Sequence, residues 1–364
     1  MKNSFGSAIS VTLFGESHGA AIGAVIDGLA PGIRIDEEYI SARLDERRAV
    51  GDISTKRREG DKFEIISGVF NGYTTGTPLT IIIRNEDARS KDYTSLLKMP
   101  RPSHADYVAN EKYHGYQDYR GGGHFSGRIT AALVAAGAIL RYALEEKGIY
   151  IGTHIKRLYD LCDRDFSDLK EDISALATAK LPVLDTEAAE KMVARIKEIG
   201  ASGDSVGGIL ETAIIGVPVG VGEPWFDTLE GTLSHALFSV PGIKGVEFGE
   251  GFGFAGLLGS EANDPFCVRD GRVLTKTNRS GGVNGGITNG MPITFRCAVK
   301  PTPSIYKKQA TVDLSTMENA TLTVEGRHDP AIIHRARAVV DAVAAIAIAD
   351  MLTVRYGTDY LAKD

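Results

Sequence analysis

The sequence predicts an α+β fold, because three features agree. Segments with strand spacing and segments with helix spacing both occur, they do not alternate regularly as in a doubly wound sheet, and no linker or low-complexity stretch divides them. Apolar residues make up 43% of the 364 residues, enough for a substantial core. We expect a single domain over residues 1–364, as one body or as two closely packed halves.

The first elements follow from short-range signals along the chain. Strand-like runs cover residues 8–13, 63–70 and 78–84. Small and apolar residues then recur at helical spacing over 128–147, and Gly148 follows at the position where glycine commonly ends a helix. These signals predict strands first and a central apolar helix after them.

The next predicted helix covers about residues 187–199. Asp185 or Thr186 serves as its N-cap, and Gly200 follows its last apolar position as a stop signal. Three further strands are predicted over residues 207–219, 291–299 and 320–325.

A last helix is predicted to begin at Asp329 and Pro330 and to run to about Met351. Asp at the N-cap followed by Pro at the first helical position is a standard helix entry. As an N-cap, Asp329 would accept backbone N–H bonds that stabilise its ionised form, which makes a poor base unless the carboxylate is partly desolvated. The sequence leaves open whether Asp329 caps the helix or accepts a proton.

Two segments resemble each other within the chain. "GYTTGTPLTI" (72–81) and "GITNGMPITF" (286–295) share Gly, Thr, Gly, Pro and Thr at identical offsets, and both have the pattern of a turn followed by a strand. Two unrelated hairpins with the same turn chemistry would explain this. A duplicated unit, with the halves related by a pseudo-twofold and a site between them, would explain it equally well.

Composition and charge exclude several classes of protein. The net charge of −6 does not favour nucleic-acid binding. The N-terminal apolar run is interrupted by Glu16, unlike a signal peptide, and the apolar segment 338–352 carries Asp341 and Asp350, unlike a membrane span. We therefore expect a cytoplasmic protein. Three widely spaced cysteines fit a reducing compartment: Cys162, Cys267 and Cys297.

The first candidate site is "FGESHGAAIGAVIDGLAPG" (14–32). Glu16, Ser17 and His18 stand among small residues, with glycines on both sides that would let the backbone approach a ligand closely. A histidine in such surroundings is either a core residue bonded to a carbonyl or a proton-transfer group. Both interpretations stay open.

A second candidate site lies within residues 100–128, which combine histidines, arginines and a triple glycine. The histidine spacing matches no metal motif, so we predict no metal site. The glycines at 121–123, followed by Ser126 and a helix, are better interpreted as an anion cradle. The titratable side chains of this stretch include His104, His114, His124, Arg101, Arg120 and Arg128.

Two further stretches add positive charge. In "KPTPS" (300–304) and "EGRHDPAIIHRAR" (325–337), Lys300 and Arg327 are candidate anion ligands. The arginine-rich stretch 41–59 is either a solvated helix face or a positive funnel for a polyanionic ligand. Together these features favour a small, multiply anionic substrate or cofactor.

Taken in order, the motifs resemble those of the chorismate synthase family. The N-terminal stretch is similar to that family's first signature and "RPSHAD" to its central histidine motif; "GEPWFD", "KGVEFGEGF", "GGVNGGITNG", "KPTPS" and "GRHDP" are similar to its later blocks. The resemblance runs from about residue 8 to 350. It implies a β-α-β sandwich with duplicated halves, assembled as a homotetramer.

The resemblance also implies an activity. Members of this family are lyases of the shikimate pathway, which leads to the aromatic amino acids. They convert 5-enolpyruvylshikimate 3-phosphate to chorismate and phosphate, a 1,4-anti elimination that needs reduced FMN without net redox change. NADPH is an external or intrinsic reductant of the flavin. The protein orients the flavin and excludes water.

The resemblance assigns roles to residues. It makes His18 the acid that protonates the departing phosphate, places Ser17 beside the substrate, has His104 protonate or hydrogen-bond the reduced flavin, and has Asp329 assist removal of the C6 proton by way of flavin N5. Substrate anions are assigned to Arg48, Arg101 and Arg128, and NADP to Arg47. Flavin-site positions are His124, Ser126, Gly285, Lys300, Pro301, Thr302, Pro303, Ser304 and Arg327.

The sequence departs from the family pattern at two places. After the triple glycine the family has Arg-Ser-Ser-Ala-Arg-Glu, where this chain has "HFSGRI" (124–129), so Phe125 replaces a hydroxyl residue. We expect Phe125 to stack on the flavin or to point into the core. The loop after Arg48 is also about two residues short and lacks an arginine. A flavin- or substrate-binding paralogue without turnover is therefore the alternative function, with a phosphotransferase as a third.

Overall fold

The computed structural model describes residues 2–48, 51–54, 60–86, 98–179, 181–324 and 329–362. Within these ranges the helices are α1 (Glu37–Glu46), α2 (Asp106–Tyr113), α3 (Thr130–Glu146), α4 (Leu169–Leu176), α5 (Thr186–Ala201), α6 (Leu229–Phe238), α7 (Gly259–Ala262) and α8 (Ile333–Tyr356). The strands are β1 (Ser4–Phe5), β2 (Ser10–Gly15), β3 (Ala21–Asp27), β4 (Phe63–Ser67), β5 (Val69–Phe70), β6 (Tyr73–Thr74), β7 (Leu79–Arg84), β8 (Tyr150–Leu158), β9 (Leu161–Cys162), β10 (Gly208–Ile215), β11 (Ile243–Phe248), β12 (Phe266–Arg269), β13 (Arg272–Thr275), β14 (Val283–Asn284), β15 (Ile287–Thr288), β16 (Ile293–Val299), β17 (Gln309–Asp313) and β18 (Glu318–Leu322).

Two antiparallel sheets enclose a layer of helices. The first has five strands in the order β1-β2-β3-β7-β4, and the second has five in the order β11-β16-β10-β8-β9. Helix α3 packs on β3 and β7 of the first sheet, α8 packs on β8 and β10 of the second, and the two helices pack on each other. The α+β prediction is confirmed, with its layers in the order sheet, helices, sheet.

The two central helices can lie together because their facing residues are small. A Cβ added to Gly137 of α3 would lie 2.5 Å from Cβ of Ala342 in α8, closer than two carbon atoms can pack. The helical segment Gly127–Glu146 is long and apolar enough to cross a membrane, but 89% of its most apolar stretch is buried inside the protein. This helix is therefore the centre of the core.

Helix α5 departs from its predicted end. The sequence places the stop at Gly200, but α5 continues through Gly200 to Ala201, and the left-handed turn falls at Gly203 (φ +73°). Asp185 is the N-cap, accepting a bond from the amide of Ala188. The predicted strand over 207–219 is too long, because it ends at Ile215 before the left-handed Gly216 (φ +88°).

Helix α8 departs from its predicted start. It begins at Ile333 with Ile332 as N-cap, so the prediction that Asp329 and Pro330 open the helix is wrong. The carboxylate of Asp329 pairs instead with Arg335, one turn into the helix, at 2.5 Å. The N-cap explanation of Asp329 is thereby removed, and its carboxylate belongs to the loop that precedes α8.

The two similar segments make matching contacts in the two sheets. Thr74 donates to the carbonyl of Ala30 and accepts from the amide of Ile33 (2.6 and 2.9 Å). The second segment repeats this pattern at Thr288, which donates to the carbonyl of Pro218 and accepts from the amide of Val221 (2.7 and 2.9 Å). Thr74, in β6, thus connects its hairpin to the loop that follows β3. Thr288, in β15, connects its hairpin to the loop that follows β10. Such repetition is what a duplicated unit predicts, and the division into two related halves stays a prediction.

Asp350 fastens the N-terminal segment to α8. Its buried carboxylate accepts the amides of Ser7, Ala8 and Ile9 at 2.9, 2.7 and 2.8 Å. Asp350→Ala is expected to lower the free energy of unfolding by at least about 3 kcal/mol, because three amides lose a charged acceptor. Urea denaturation measures this, with the exposed Asp359→Ala as control. Equal stability of the two variants would contradict the expectation.

Candidate functional site

A cleft of about 1420 Å³ opens where the N-terminal ends of α3 and α8 come together. Residues 126–130 line it at the start of α3, and Asp329, Ile332 and Arg335 line it at the start of α8. If the halves are duplicated, these two helix ends occupy equivalent places in the two halves. The cleft then lies between the halves, where the sequence analysis expects a site for a duplicated fold.

The cleft is strongly basic although the whole chain is acidic. Among the residues that the structure describes, two acidic ones line it, Asp61 and Asp329. Such a concentration of positive charge in a recess attracts multiply anionic ligands. The described basic residues that line it are Lys2, Arg47, Arg48, Arg128, Lys244, Lys300 and Arg335.

His18 lies beside the triple-glycine turn. Its side chain is almost buried, at 7% exposure, and contacts the Cα side of Gly121. The amide of Ser17 donates to the carbonyl of Gly123 at 3.1 Å, which fixes this contact, and the buried Ser17 Oγ has no hydrogen-bond partner within the described residues. The end of β2 is thus joined to the turn before α3.

The turn itself separates two imidazoles. Gly121 and Gly122 both have left-handed backbone angles (φ +59° and +85°). A Cβ on Gly121 would lie 2.2 Å from Cε1 of His18, and a Cβ on Gly122 would lie 3.4 Å from Cε1 of His104. The glycines therefore let a bare backbone fit between the two histidines, a role that the predicted anion cradle does not include.

Gly121→Ala is expected to lower turnover about tenfold or more, because its methyl group displaces His18 and small errors of position are costly in catalysis. The matched control is Gly148→Ala, which has a similar left-handed conformation (φ +76°) but open space around the added carbon. Steady-state rates measure the effect. A comparable loss of rate in both variants would show that backbone strain, not His18, is responsible.

His104 is held by a carboxylate. Its Nδ1 lies 2.6 Å from Asp106, and Asp106 also accepts two bonds from the guanidinium of Arg101. Burial opposes ionisation, but the hydrogen bonds from Arg101 and His104 outweigh it and hold the pKa of Asp106 well below its usual range. Arg101, assigned to a substrate anion, is therefore committed to Asp106 and does not line the cleft.

Arg47 and Arg128 converge on Asp61. Arg47 donates to its carboxylate at 2.9 Å, Arg128 pairs with the other oxygen, and Arg48 donates to the carbonyl of Gly60. Burial raises the pKa of Asp61, but the charges and hydrogen bonds of Arg47 and Arg128 prevail and lower it. Three of the predicted anion-binding arginines, Arg47, Arg48 and Arg128, thus lie together in the cleft, and two of them pair with a carboxylate of the chain itself.

His334, the second residue of α8, is buried and lies close enough to Asp329 to feel its charge. Its Nε2 lies 2.7 Å from Oγ of Ser54. Burial lowers the pKa of His334 to about 4, although the charge of Asp329 partly opposes this. At neutral pH this imidazole is therefore uncharged and is no source of protons.

Most predicted flavin-site residues line the same cleft. Lys300 donates to the carbonyl of Ser103 at 2.6 Å, and burial together with the charge of Lys244 lowers the pKa of Lys300. The buried Thr302 Oγ1 has no hydrogen-bond partner among the residues described. The members of the prediction that line the cleft are His124, Ser126, Lys300, Pro301, Thr302, Pro303 and Ser304.

The remaining predicted residues lie elsewhere. Gly285 sits in the turn between β14 and β15, and the structure does not bring it to the cleft. Arg327 lies outside the described residues. His124, which does line the cleft, donates from Nδ1 to the carbonyl oxygen of Gly15 at 2.8 Å. In the described part of the chain no cluster of His, Cys, Asp or Glu has the arrangement of a metal site.

Phe125 does not point into the core. It lines the cleft, is 39% exposed, and packs edge-on against Tyr113 with ring centroids 6.1 Å apart. The core alternative for this residue is therefore wrong. Stacking on a flavin stays a prediction.

Sequence analysis missed three residues of the site. Asp106 lies inside the "RPSHAD" motif, so its spacing from Arg101 and His104 was an available signal. Asp61 and Arg335 gave no such signal, because each belongs to a charged run of the kind that usually faces solvent. Each also bonds to a residue far along the chain, Asp61 to Arg128 and Arg335 to the carbonyl of Arg47.

The structure is thus a sheet-helix-sheet sandwich with a basic cleft that holds imidazole and carboxylate groups. The family model for chorismate synthase matches residues 9–353. Three relatives named chorismate synthase are similar over nearly the whole chain: 49% identical in Thermococcus gammatolerans (96% of this chain, 97% of the relative), 48% in Pyrococcus abyssi (96% and 97%) and 46% in Aeropyrum pernix (97% and 93%).

A solved structure described as a crystal structure of chorismate synthase has the same fold. Its TM-score is 0.78 at 29% identity, over 98% of this chain and 94% of that one. The chain belongs to the chorismate synthase family. The predicted resemblance is thereby confirmed, and the chain is a member of an enzyme family.

Proposed function

We propose that this protein catalyses the elimination of phosphate from 5-enolpyruvylshikimate 3-phosphate to give chorismate, with reduced FMN as its cofactor, as a lyase of the shikimate pathway. The observation that carries the proposal is that His104, Asp329 and the basic groups line one cleft in a chain of this family. The substrate has two carboxylates and a phosphate, and FMN adds a second phosphate. The positive charge of the cleft suits both.

The cleft fits a flavin beside a substrate. Its volume of about 1420 Å³ exceeds the roughly 300–1,000 Å³ of a pocket for one small ligand. One wall is apolar and suits a flat ring system: Val11, Leu13, Leu133, Val343 and Ile346. When bound, reduced FMN supplies the electron-rich ring that the elimination needs. Lys300 and Lys244 would hold its phosphate, and Thr302 Oγ1 would find a partner.

His18 is proposed to donate a proton to the oxygen of the departing phosphate. Hydrogen bonds from Arg120 lower the pKa of Asp118, and the charge of His18 adds to this effect. The bare backbone of Gly121 contacts the imidazole of His18, which lies beside the turn and is not itself among the residues that line the cleft.

His104 is proposed to hold a proton at Nε2, facing the flavin. Its Nδ1 is occupied by Asp106, which fixes the ring and leaves Nε2 as the nitrogen that exchanges a proton. Asp329 is proposed to accept the substrate proton, with Arg335 orienting its carboxylate. General acids and bases positioned in this way contribute about 10²–10⁴-fold each.

An anaerobic assay tests the proposal. Purified protein, 5-enolpyruvylshikimate 3-phosphate and reduced FMN should form chorismate, and omission of FMN should abolish it. Absence of chorismate with both ligands bound would favour the non-catalytic paralogue, which the altered "HFSGRI" block motivates. A phosphotransferase would have to bind a nucleotide instead.

The source of reduced flavin is a separate question. NADPH is proposed as an external or intrinsic reductant. Arg47, assigned to NADP, is paired with Asp61, and its side chain is 7% exposed. Running the same assay with oxidised FMN and NADPH distinguishes the two sources.

Lys300→Ala is expected to weaken FMN binding by about 1.5–3 kcal/mol, because a charge-assisted contact to the phosphate is lost. Fluorescence titration of FMN measures the affinity. Lys308→Ala is the matched control, since Lys308 is exposed and does not line the cleft. Unchanged affinity in Lys300→Ala would place the flavin phosphate elsewhere.

We further propose a homotetramer in the cytoplasm. Large apolar side chains remain exposed on the single chain, among them Trp225 (87%), Phe226 (95%) and Phe252 (86%), and subunit contacts would cover them. Free cysteines at positions 162, 267 and 297 suit a reducing compartment. Sedimentation equilibrium tests the assembly, and a monomer at every concentration would contradict it.

A further inference from the structure

Three arginines of the cleft are bonded to two consecutive residues of the chain. Arg47 and Arg128 both pair with the carboxylate of Asp61, and Arg48 donates to the carbonyl of Gly60. The side chains of Arg47, Arg128 and Asp61 are 7%, 4% and 1% exposed. The arginines that face the ligand space are therefore already in contact with internal oxygen atoms.

We propose that Asp61 is an internal occupant of the anion site formed by Arg47 and Arg128, and that it makes this site select a phosphate over a carboxylate. The inference rests on the proposed function and deepens it, because the substrate offers anions of both kinds. When the ligand binds, its anionic group replaces the carboxylate of Asp61 as the partner of Arg47 and Arg128. The carboxylate of Asp61 then moves into water.

The local backbone fits this role. The backbone of Asp61 has a left-handed conformation (φ +44°), which residues other than glycine rarely adopt. Its carboxylate reaches both guanidiniums from that conformation, Arg47 at one oxygen and Arg128 at the other. A carboxylate between two almost buried guanidiniums offsets their mutual repulsion, which is the electrostatic contribution that an anionic ligand would also make there.

Selection follows from the competition between tethered and free anions. A tethered carboxylate has a high effective concentration, so a free carboxylate of equal charge displaces it poorly. A phosphate group carries about −1.5 to −2 charge at neutral pH and three acceptor oxygens, so it gains more from the two guanidiniums. The site consequently admits phosphate and rejects simple carboxylates.

Calorimetric titration with inorganic phosphate and with acetate tests this in the absence of substrate and flavin. The wild type should bind phosphate in preference to acetate. Asp61→Asn, which keeps the shape and removes the charge, should bind phosphate at least about tenfold more tightly and should gain acetate binding. The added Arg128→Met change should abolish that gain.

Asp270→Asn is the matched control. Asp270 has a similar left-handed conformation (φ +51°) but lies in an exposed hairpin turn away from the cleft, so its variant should behave as the wild type. Equal affinity of the wild type for both anions, no phosphate binding to it, or no tightening in Asp61→Asn would each overturn the proposal.

Hydrogen exchange of the wild type gives a second test that does not depend on the variant folding. Phosphate should speed the exchange of the amides of residues 60–63, because Asp61 leaves its arginines. Unchanged or slower exchange would overturn the displacement. Neither readout uses catalysis, so a protein that selects phosphate but forms no chorismate would contradict the proposed function alone.

Discussion

His18→Ala is expected to lower turnover by about 100-fold or more, the scale for loss of a positioned general acid. The physical reason is that the departing phosphate would leave without the proton that His18 supplies. Substrate affinity should change much less, because the anions are held by the basic groups of the cleft. Single-turnover kinetics with reduced FMN separates the two effects.

His114→Asn is the matched control for this change. His114 is exposed and lies in a left-handed turn (φ +55°), which asparagine tolerates. Its variant should keep the wild-type rate. A His18→Ala variant with the wild-type rate would show that His18 serves packing, the alternative that the sequence leaves open.

Asp329→Asn is expected to lower turnover by about 100-fold or more as well, because an amide cannot accept the substrate proton. Its side-chain oxygen still accepts the bond from Arg335, and the residue is only 8% exposed, so the shape of the cleft should be kept. The loss should appear in the turnover rate rather than in substrate affinity.

The control for Asp329→Asn is the same change at the exposed Asp359. Thermal unfolding of both variants checks that the fold is intact. If Asp329→Asn retains the wild-type rate, the residue is a partner of Arg335 and another group removes the proton.

The fold was predictable where short-range signals agree with packing. Helix α3 is apolar over most of its length and is followed by Gly148, so its residue pattern and its stop signal predict the same helix. The start of α8 was not predictable in this way. An Asp-Pro pair is a strong local helix signal, but Asp329 is drawn to Arg335 and the helix begins at Ile333.

The sequence indicated which residues belong to the site better than it indicated how they contact one another. The histidines and arginines stand out because their surroundings are small or glycine-rich. Sequence reasoning cannot show that Gly121 touches His18, since that contact joins the end of β2 to the turn before α3. It also cannot show that Asp61 faces both Arg47 and Arg128, because this contact depends on the tertiary structure.

The number of chorismate molecules formed per FMN tests the proposed function most directly. Limiting reduced FMN and excess 5-enolpyruvylshikimate 3-phosphate are mixed with the enzyme under anaerobic conditions, and chorismate, phosphate and flavin oxidation are followed together. We expect many chorismate molecules for each FMN, phosphate in equal amount, and flavin that is still reduced at the end. No chorismate, or one flavin oxidised for each product formed, would contradict an elimination without net redox change.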